Sequence, residues 1–338
     1  MRDFAQKLIK WQRRHGRHGL PWQGTRDPYR IWVSEIMLQQ TRVEAVVPYF
    51  VRFLGRFPDV RALAQASGEE VLRLWSGLGY YARARNLHAA AREIVVAHGG
   101  RFPRSLEGIR RLRGIGRSTA GAIAVFAFGA RAAILDGNGK RVFARCFAVQ
   151  GEKRQWTLAE SLLPARGTGT YTQALMDLGA TVCTRAKPAC GRCPVAAHCV
   201  ALRENRIEEL PTPRRRKKIP LREVKWLVLA HHRCVLLERR PPSGLWGGLW
   251  AFPEFGKDGP ATIVRALGCR VERITKLPVI EHGFTHFRLR ARPSLYEVRE
   301  PAPRAEQGGR LWVDLADAAE GAVPVPVRKV LRELARRR

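Results

Sequence analysis

From residue 1 to about residue 202 the apolar positions recur at helical spacing. Segments 29–40, 43–54, 69–76, 83–97 and 118–128 each set apolar side chains three and four residues apart, with Gly and Pro between them. Met1-Arg2-Asp3-Phe4 leads directly into the same pattern. No alternating strand pattern of useful length interrupts it, so this part is expected to be all helical. Residues 203–220 then hold three prolines and the run Arg214-Arg215-Arg216-Lys217-Lys218. That is the composition of an extended linker lying near phosphate. Beyond it, 225–230, 234–238 and 284–289 read as strands, and 259–267 and 325–336 as helices. The expected organisation is therefore multidomain: an all-α domain over 1–202, a basic linker over 203–222 and an α+β domain over 223–338. A chain of 338 residues has room for each domain to bury its own core.

Charge narrows the class of partner. The formal net charge is +32, a surface field that favours a polyanion, so DNA or RNA is the expected ligand. Only 11 of the 61 basic residues are Lys, and heavy Arg use can also reflect genomic base composition; the field is present either way. A membrane partner is not expected. The longest uncharged apolar stretch, residues 119–130, is too short to span a bilayer, and no signal peptide precedes the first helix. A reducing, cytoplasmic compartment follows as the expectation.

Four cysteines add a metal centre. Cys183-x6-Cys190-x2-Cys193-x5-Cys199 suits a single [4Fe–4S] cluster better than the two short Cys pairs of a zinc ribbon. A structural zinc knuckle and two disulfides are the alternatives. Disulfides fit poorly, because three further cysteines lie outside the loop and nothing marks export. Those three, Cys146, Cys234 and Cys269, read as packing residues.

The candidate chemistry lies upstream. Leu112-Arg113-Gly114-Ile115-Gly116-Arg117-Ser118-Thr119-Ala120 is a glycine hairpin opening a helix. Gly114 and Gly116 would let backbone N–H groups and a helix N-terminus approach a DNA phosphate, a contact that holds the strand without reading it. Twenty residues past Gly116 comes Asp136, in Ile134-Leu135-Asp136-Gly137-Asn138, where the chain enters another periodic segment. Helix N-terminal amides should keep that carboxylate ionised; standing alone it reads as a plain N-cap. Glu35 has the opposite setting, a helix apolar on most of its surface, where desolvation should raise its pKa. Alone it reads as a structural acid. Together, a neutral and an anionic carboxyl suit cleavage of a glycosidic bond.

These residues resemble the adenine DNA glycosylases, the MutY family of the helix-hairpin-helix superfamily. The resemblance covers nearly the whole chain. It rests on Leu20-Pro21-Trp22, Ser34-Glu35-Ile36-Met37-Leu38-Gln39-Gln40-Thr41, Gly77-Leu78-Gly79-Tyr80-Tyr81, the hairpin, Leu135-Asp136-Gly137-Asn138, Met176-Asp177-Leu178-Gly179-Ala180 and the four cysteines. It implies an all-α helix-hairpin-helix glycosylase domain with a [4Fe–4S] loop, followed by a Nudix-like α+β domain. It also implies removal of adenine mispaired with 8-oxoguanine or guanine from duplex DNA, by a monomeric enzyme. By the same resemblance Glu35 would protonate adenine N7 and Asp136 would stabilise the oxocarbenium sugar, electrostatically or through a transient covalent bond. Asn138 would help hold the site, although Lys140 stands where many relatives carry valine. Gln40 and Tyr80 would enter the base stack, Leu20, Trp22 and Gln173 would contact DNA or base, and Cys183, Cys190, Cys193 and Cys199 would hold the cluster. Arg185, Lys187 and Arg192 near the cluster suit phosphate contact.

Related endonuclease III enzymes carry a Schiff-base lysine where this chain has Ser118, which implies a monofunctional glycosylase. The runner-up is a bifunctional lyase acting on oxidised pyrimidines; a non-catalytic mispair-binding protein is a third possibility. In the second domain, Gly244-Leu245-Trp246-Gly247-Gly248-Leu249-Trp250 resembles the family's Nudix-like domain, yet no Arg-Glu-x-x-Glu-Glu run occurs between 240 and 290 to hold Mg²⁺ on a pyrophosphate. Phe284-Thr285-His286 matches the loop that probes 8-oxoguanine in relatives, with Thr in place of Ser. Phe284 would wedge into the stack, and Thr285 and His286 would supply hydrogen bonds. His282, His231 and His232 read as surface or turn histidines.

Overall fold

The computed structural model describes residues 2–213, 218–256, 259–299, 306–307 and 309–337. Most of the basic run expected to act as a linker, Arg214-Arg215-Arg216-Lys217, lies outside the described residues. The chain divides into two compact units, Met1–Gln65 with Asn86–Arg215, and Ala66–Arg85 with Arg216–Arg338. The sequence pattern placed 66–85 with the helical domain. The structure packs this segment with the second unit instead.

The helices run α1 (Arg2–His15), α2 (Pro28–Leu38), α3 (Val43–Arg56), α4 (Val60–Gln65), α5 (Gly68–Trp75), α6 (Ala82–His98), α7 (Leu106–Arg111), α8 (Arg117–Phe128), α9 (Gly137–Phe147), α10 (Glu152–Ser161), α11 (Thr168–Thr181) and α12 (Val200–Arg203). All but α5 and the first residues of α6 belong to the first unit. Local chemistry sets several boundaries. Pro28 starts α2 behind the Asp27 cap, Ser105 caps α7 at the Gly108 amide, and Asp136 caps α9 at the Gly139 amide. Helix α1 packs on α11, α2 on α8, and α9 on α11. Phe4, Leu8, Val142, Phe143, Leu175 and Leu178 form one core, and Ala122, Val125, Ala132 and Ile134 a smaller one. Gly179 makes the close α9–α11 approach possible, since a Cβ there would lie 2.4 Å from Asn138 Cβ.

The second unit is a mixed sheet of nine strands among the described residues: β1 (Leu221–His231), β2 (Cys234–Arg239), β3 (Trp250–Ala251), β4 (Glu254–Phe255), β5 (Val271–Lys276), β6 (Ile280–Gly283), β7 (Arg288–Val298), β8 (Glu306–Gln307) and β9 (Arg310–Asp314). The principal order is β5-β7-β1-β2-β9-β8, with β1 and β7 parallel in the register Leu221↔Arg288 to Ala230↔Glu297. Strand β1 is buried continuously from Trp226 to Ala230, as a central strand covered on both faces should be. Helices α13 (Ala261–Ala266), α14 (Leu315–Glu320) and α15 (Val325–Arg337) complete the unit. One expected strand is corrected. Phe284-Thr285-His286-Phe287 is a turn between β6 and β7, closed by the Phe284 N–H donating to the Phe287 carbonyl at 2.9 Å. Its aromatic content mimics a strand, but two residues at its tip leave no ladder to join.

Candidate active site

The first-unit carboxyls sit on different supports. Glu35 lies in the third turn of α2, amid buried Ile31, Trp32, Val33, Ile36 and Met37. Its carboxyl opens on a cavity of about 420 Å³ that is also lined by Leu20, Trp22, Gln173 and Met176. That volume is within the ~300–1,000 Å³ usual for small-molecule sites. Burial pushes the Glu35 pKa up to about 8, and the nearby charge of Asp136 adds to the rise.

Asp136 begins α9. Its Oδ1 accepts the Gly139 N–H at 2.7 Å, and Asn138 donates to it as well. The amides were expected to hold this carboxyl down. The structure corrects that: burial outweighs the Gly139 bond, the Arg141 charge and the Asn138 bonds, so its pKa is raised from the ordinary value. The Asp136 charge is in turn one of the causes that raise Glu35. Asp136 lines a smaller cavity beside the first, and Met176 borders both. Ser118, at the start of α8, accepts the Leu135 N–H at 3.2 Å and so fixes the backbone one residue before Asp136.

The cavity wall has a buried ion pair that the sequence pattern did not reveal. Asp177 is 0% exposed and accepts from Arg17 Nε (2.7 Å), from the Arg17 N–H (3.0 Å) and from Gln173 Nε2 (2.9 Å). These bonds tie α11 to the loop bearing Leu20 and Trp22, and orient Gln173 in the cavity. Trp22 also packs edge-on against Phe50, with ring centroids 5.3 Å apart. An acid inside the otherwise apolar stretch Met176–Ala180 was the available signal, since a buried Asp requires a cation.

The hairpin folds as its composition indicates. Leu112 and Ile115 are buried while Arg113, Gly114, Gly116 and Arg117 face out. Gly114 has φ +82° and lies so close to α6 that a Cβ would meet Asn86 Cβ at 2.7 Å. Gln39 donates to Thr119 at 3.3 Å, joining the end of α2 to the start of α8. The next residue, Gln40, is exposed with φ +57°.

The four loop cysteines line a third cavity, together with Arg145 and Cys146. Cys146 is buried, as a packing residue should be, but it stands against Cys199 in the same cavity. Arg145 is 3% exposed, 3.5 Å from Cys183 Sγ, and bonded to the carbonyls of Thr184, Arg185 and Leu210. No carboxylate pairs with it among the described residues. A buried guanidinium in that position fits an anionic, thiolate-ligated group. One turn earlier on α9, Arg141 reaches the Cys183 carbonyl (2.7 Å) and Asn138 Oδ1 (2.8 Å). The i, i+4 spacing of Arg141 and Arg145 was legible; its target was not. Lys140 is drawn to Glu152 at 3.2 Å. Arg185, Lys187 and Arg192 are exposed.

In the second unit, Thr285 and His286 form the exposed tip of the turn, while Phe284 is half-buried. Its ring stacks on Phe287 (4.5 Å) and contacts His282 (4.7 Å) and Trp246 (5.9 Å). His282 is thus part of the turn's aromatic support rather than a free surface residue. His231 Nδ1 donates to the Val298 carbonyl (2.8 Å) and its ring meets His232. Tyr80, 40% exposed with φ +50°, shares a 2.7 Å hydrogen bond with the Thr285 hydroxyl.

Residues 33–164 match the family of HhH-GPD superfamily base excision DNA repair proteins, and residues 225–333 match the NUDIX domain. The solved structure of a thermostable thymine-DNA glycosylase is similar at TM-score 0.57 and 30% identity, over 60% of this chain and 96% of that one. The class is that of helix-hairpin-helix proteins of base excision repair, here followed by a NUDIX-like α+β domain. Longer matches narrow it. The chain is 34% identical to an adenine DNA glycosylase of Buchnera aphidicola subsp. Baizongia pistaciae, over 98% of this chain and 96% of that protein. It is 32% identical to the adenine DNA glycosylase of Homo sapiens, over 97% of this chain and 73% of that protein. The chain belongs to the adenine DNA glycosylase family, enzymes of base excision repair. No helix among the described residues is long and apolar enough to cross a membrane.

Proposed function

We propose that this enzyme excises adenine mispaired with 8-oxoguanine, or with guanine, from duplex DNA, without cutting the strand. The observation that carries the reading is Glu35. It is held near a pKa of about 8 beside the charge of Asp136, and it opens on a cavity of a size to admit an extruded base. The neutral Glu35 donates its proton to adenine N7 as the glycosidic bond lengthens. Asp136, as its anion, faces the developing oxocarbenium sugar and stabilises it. Water completes the hydrolysis and leaves an abasic site. Asn138 holds Asp136, Gln173 with Leu20 and Trp22 shapes the base pocket, and Gln40 and Tyr80 support the opened stack. Gly114 and Gly116 place hairpin amides on a phosphate of the DNA backbone.

A monofunctional reaction is supported by Ser118, whose hydroxyl accepts a backbone amide and carries no amine. The lysine along α9, Lys140, is engaged by Glu152. The lyase reading would require a borohydride-trapped crosslink, and none is expected.

Cys183, Cys190, Cys193 and Cys199 hold a [4Fe–4S] cluster. A single zinc ion is the poorer fit, because the x6, x2 and x5 intervals lack the two short Cys pairs of a zinc ribbon. Bound there, the cluster supplies loop structure and DNA positioning rather than a step of base release. Arg185, Lys187 and Arg192 lie alongside for phosphate. The NUDIX-like domain recognises 8-oxoguanine through Thr285 and His286, with Phe284 setting the turn from beneath more than wedging into the stack. The enzyme works as an intracellular monomer.

The test is base release under single turnover from duplexes with adenine opposite 8-oxoguanine, guanine or thymine. Fast release opposite 8-oxoguanine, slower opposite guanine and little opposite thymine is expected. Equal release from all three would sink the reading.

A further inference from the structure

The loop of residues 77–81 is held in a costly conformation. Gly77 and Gly79 have φ of +103° and +79°, which glycine adopts readily, but Tyr80 has φ +50° and carries a side chain. Such a residue persists only where its surroundings over-determine it. Part of the restraint is local. Trp75 Nε1 and Arg83 Nη2 both donate to the Gly79 carbonyl (3.1 and 3.2 Å), and the Arg83 N–H donates to the Tyr80 carbonyl (2.8 Å). These bonds close the loop on itself but leave its two stems to be fixed.

The stems are fixed by residues from the far end of the sequence, all within the second unit. On one side, buried Ser76 donates to the Val323 carbonyl and accepts from Arg328 Nη2 at 3.0 Å. On the other, Arg85 Nη1 donates to the Gly247 carbonyl at 2.8 Å. Helix α5, which feeds the loop, is tied by Trp250 Nε1 donating to Glu69 at 2.8 Å. The Leu72 methyl also packs on Gly248, 3.2 Å from where a Cβ would stand. Tyr80, at the crest, then meets the Thr285 hydroxyl.

We infer that Ser76, Glu69 and Arg85, with Arg328, Trp250 and Gly247 opposite them, form a clamp by which the NUDIX-like domain fixes the Tyr80 loop and so sets the preference for 8-oxoguanine over guanine. This rests on the reading of Thr285 as a lesion contact. These are positioning residues: none touches substrate in the scheme above. The clamp keeps the Tyr80 and Thr285 hydroxyls paired, so the tip presents one hydrogen-bonding arrangement rather than several. Discrimination therefore depends on a segment that lies, in sequence, inside the glycosylase half.

The test uses the full-length enzyme with Ser76→Ala and Glu69→Ala, singly and combined, and Glu69→Gln as the conservative control that keeps an acceptor for Trp250. Glu69 is exposed, so its substitution leaves the core intact. Hydrogen exchange of amides 76–82 should quicken in the double variant. The excision preference for 8-oxoguanine should fall about three- to tenfold, the effect of a lost hydrogen bond, through slower release opposite 8-oxoguanine alone. Glu69→Gln should match the parent. Unchanged exchange in the loop, or faster exchange with unchanged preference, would overturn the clamp, as would equal slowing opposite guanine. Tyr80→Phe and Thr285→Val report separately: if both leave the preference intact while the loop still loosens, the lesion-contact reading has failed and the mechanical tie has not.

Discussion

Two regions of this molecule use polar groups in opposite ways. Glu35 and Asp136 stand on helices, enclosed by apolar residues, and both carboxyls have their pKa values raised by burial. Thr285, His286 and Tyr80 are exposed, and their support is the half-buried Phe284–Phe287 ring stack with buried Trp246 behind it. Acid chemistry at neutral pH is favoured by desolvation, because a carboxyl removed from water keeps a proton it would otherwise lose. Recognition of a base inside a duplex requires the reverse: hydroxyls and rings within reach, on a base too stiff to move. Substitutions in the first region should therefore act on rate, and in the second on preference.

The largest expected effect is that of Asp136→Asn. The amide still accepts the Gly139 N–H, so α9 keeps its cap, but the charge proposed to face the sugar is gone. Single-turnover release should fall by about 10³-fold or more with DNA affinity kept; retained activity would remove Asp136 from the mechanism. Glu35→Gln should cost about 10²–10⁴-fold, the range for loss of a general acid. It should also raise the melting temperature at pH 7. A carboxyl with a raised folded pKa contributes stability that is full below its unfolded value of 4.5 and is lost as pH rises through about 8. The neutral amide escapes that loss, so an unchanged or lower melting temperature would count against burial of the acid. The same shift predicts that excision at limiting enzyme declines as pH rises through about 8, and that this limb vanishes in Glu35→Gln.

Gly179→Ala tests the wall between helices. Its methyl would meet Asn138, and pushing α9 away should cost about 1–3 kcal/mol of stability by thermal unfolding, together with a loss of rate. An Ala variant with parental rate would show that Asn138 needs no fixed position. The smallest effect belongs to the second region. Thr285→Val should lower the 8-oxoguanine preference about three- to tenfold without slowing release opposite guanine. A matched loss on both duplexes would erase the contrast between the two regions.

Much of the catalytic half was legible. Glu35 lies within a run of apolar neighbours, so its desolvation could be read from periodicity alone, and Asp136 precedes a periodic segment as an N-cap does. The glycines of the hairpin and the four cysteines declare themselves by spacing. Other features were not legible, for physical reasons. The net rise in the Asp136 pKa depends on how much protein surrounds it, which no local pattern reports. The pairing of Arg17 with Asp177 spans 160 positions, and that of Ser76 with Arg328 spans 252. The turn at 284–287 passed for a strand because its rings satisfy a strand's composition.

What the sequence alone determined is the list of parts: helices by apolar spacing, caps and turns by residue type, a thiol cluster by interval, and a family by their combination. Only the tertiary structure decided which parts act together. It set Gln173 and Trp22 around Glu35, turned Arg145 onto the cysteine loop, and gave residues 66–85 to the second unit rather than the first. Local conformational preference is written in neighbouring residues, whereas burial, charge coupling and long-range hydrogen bonds exist only once distant segments have been brought into contact.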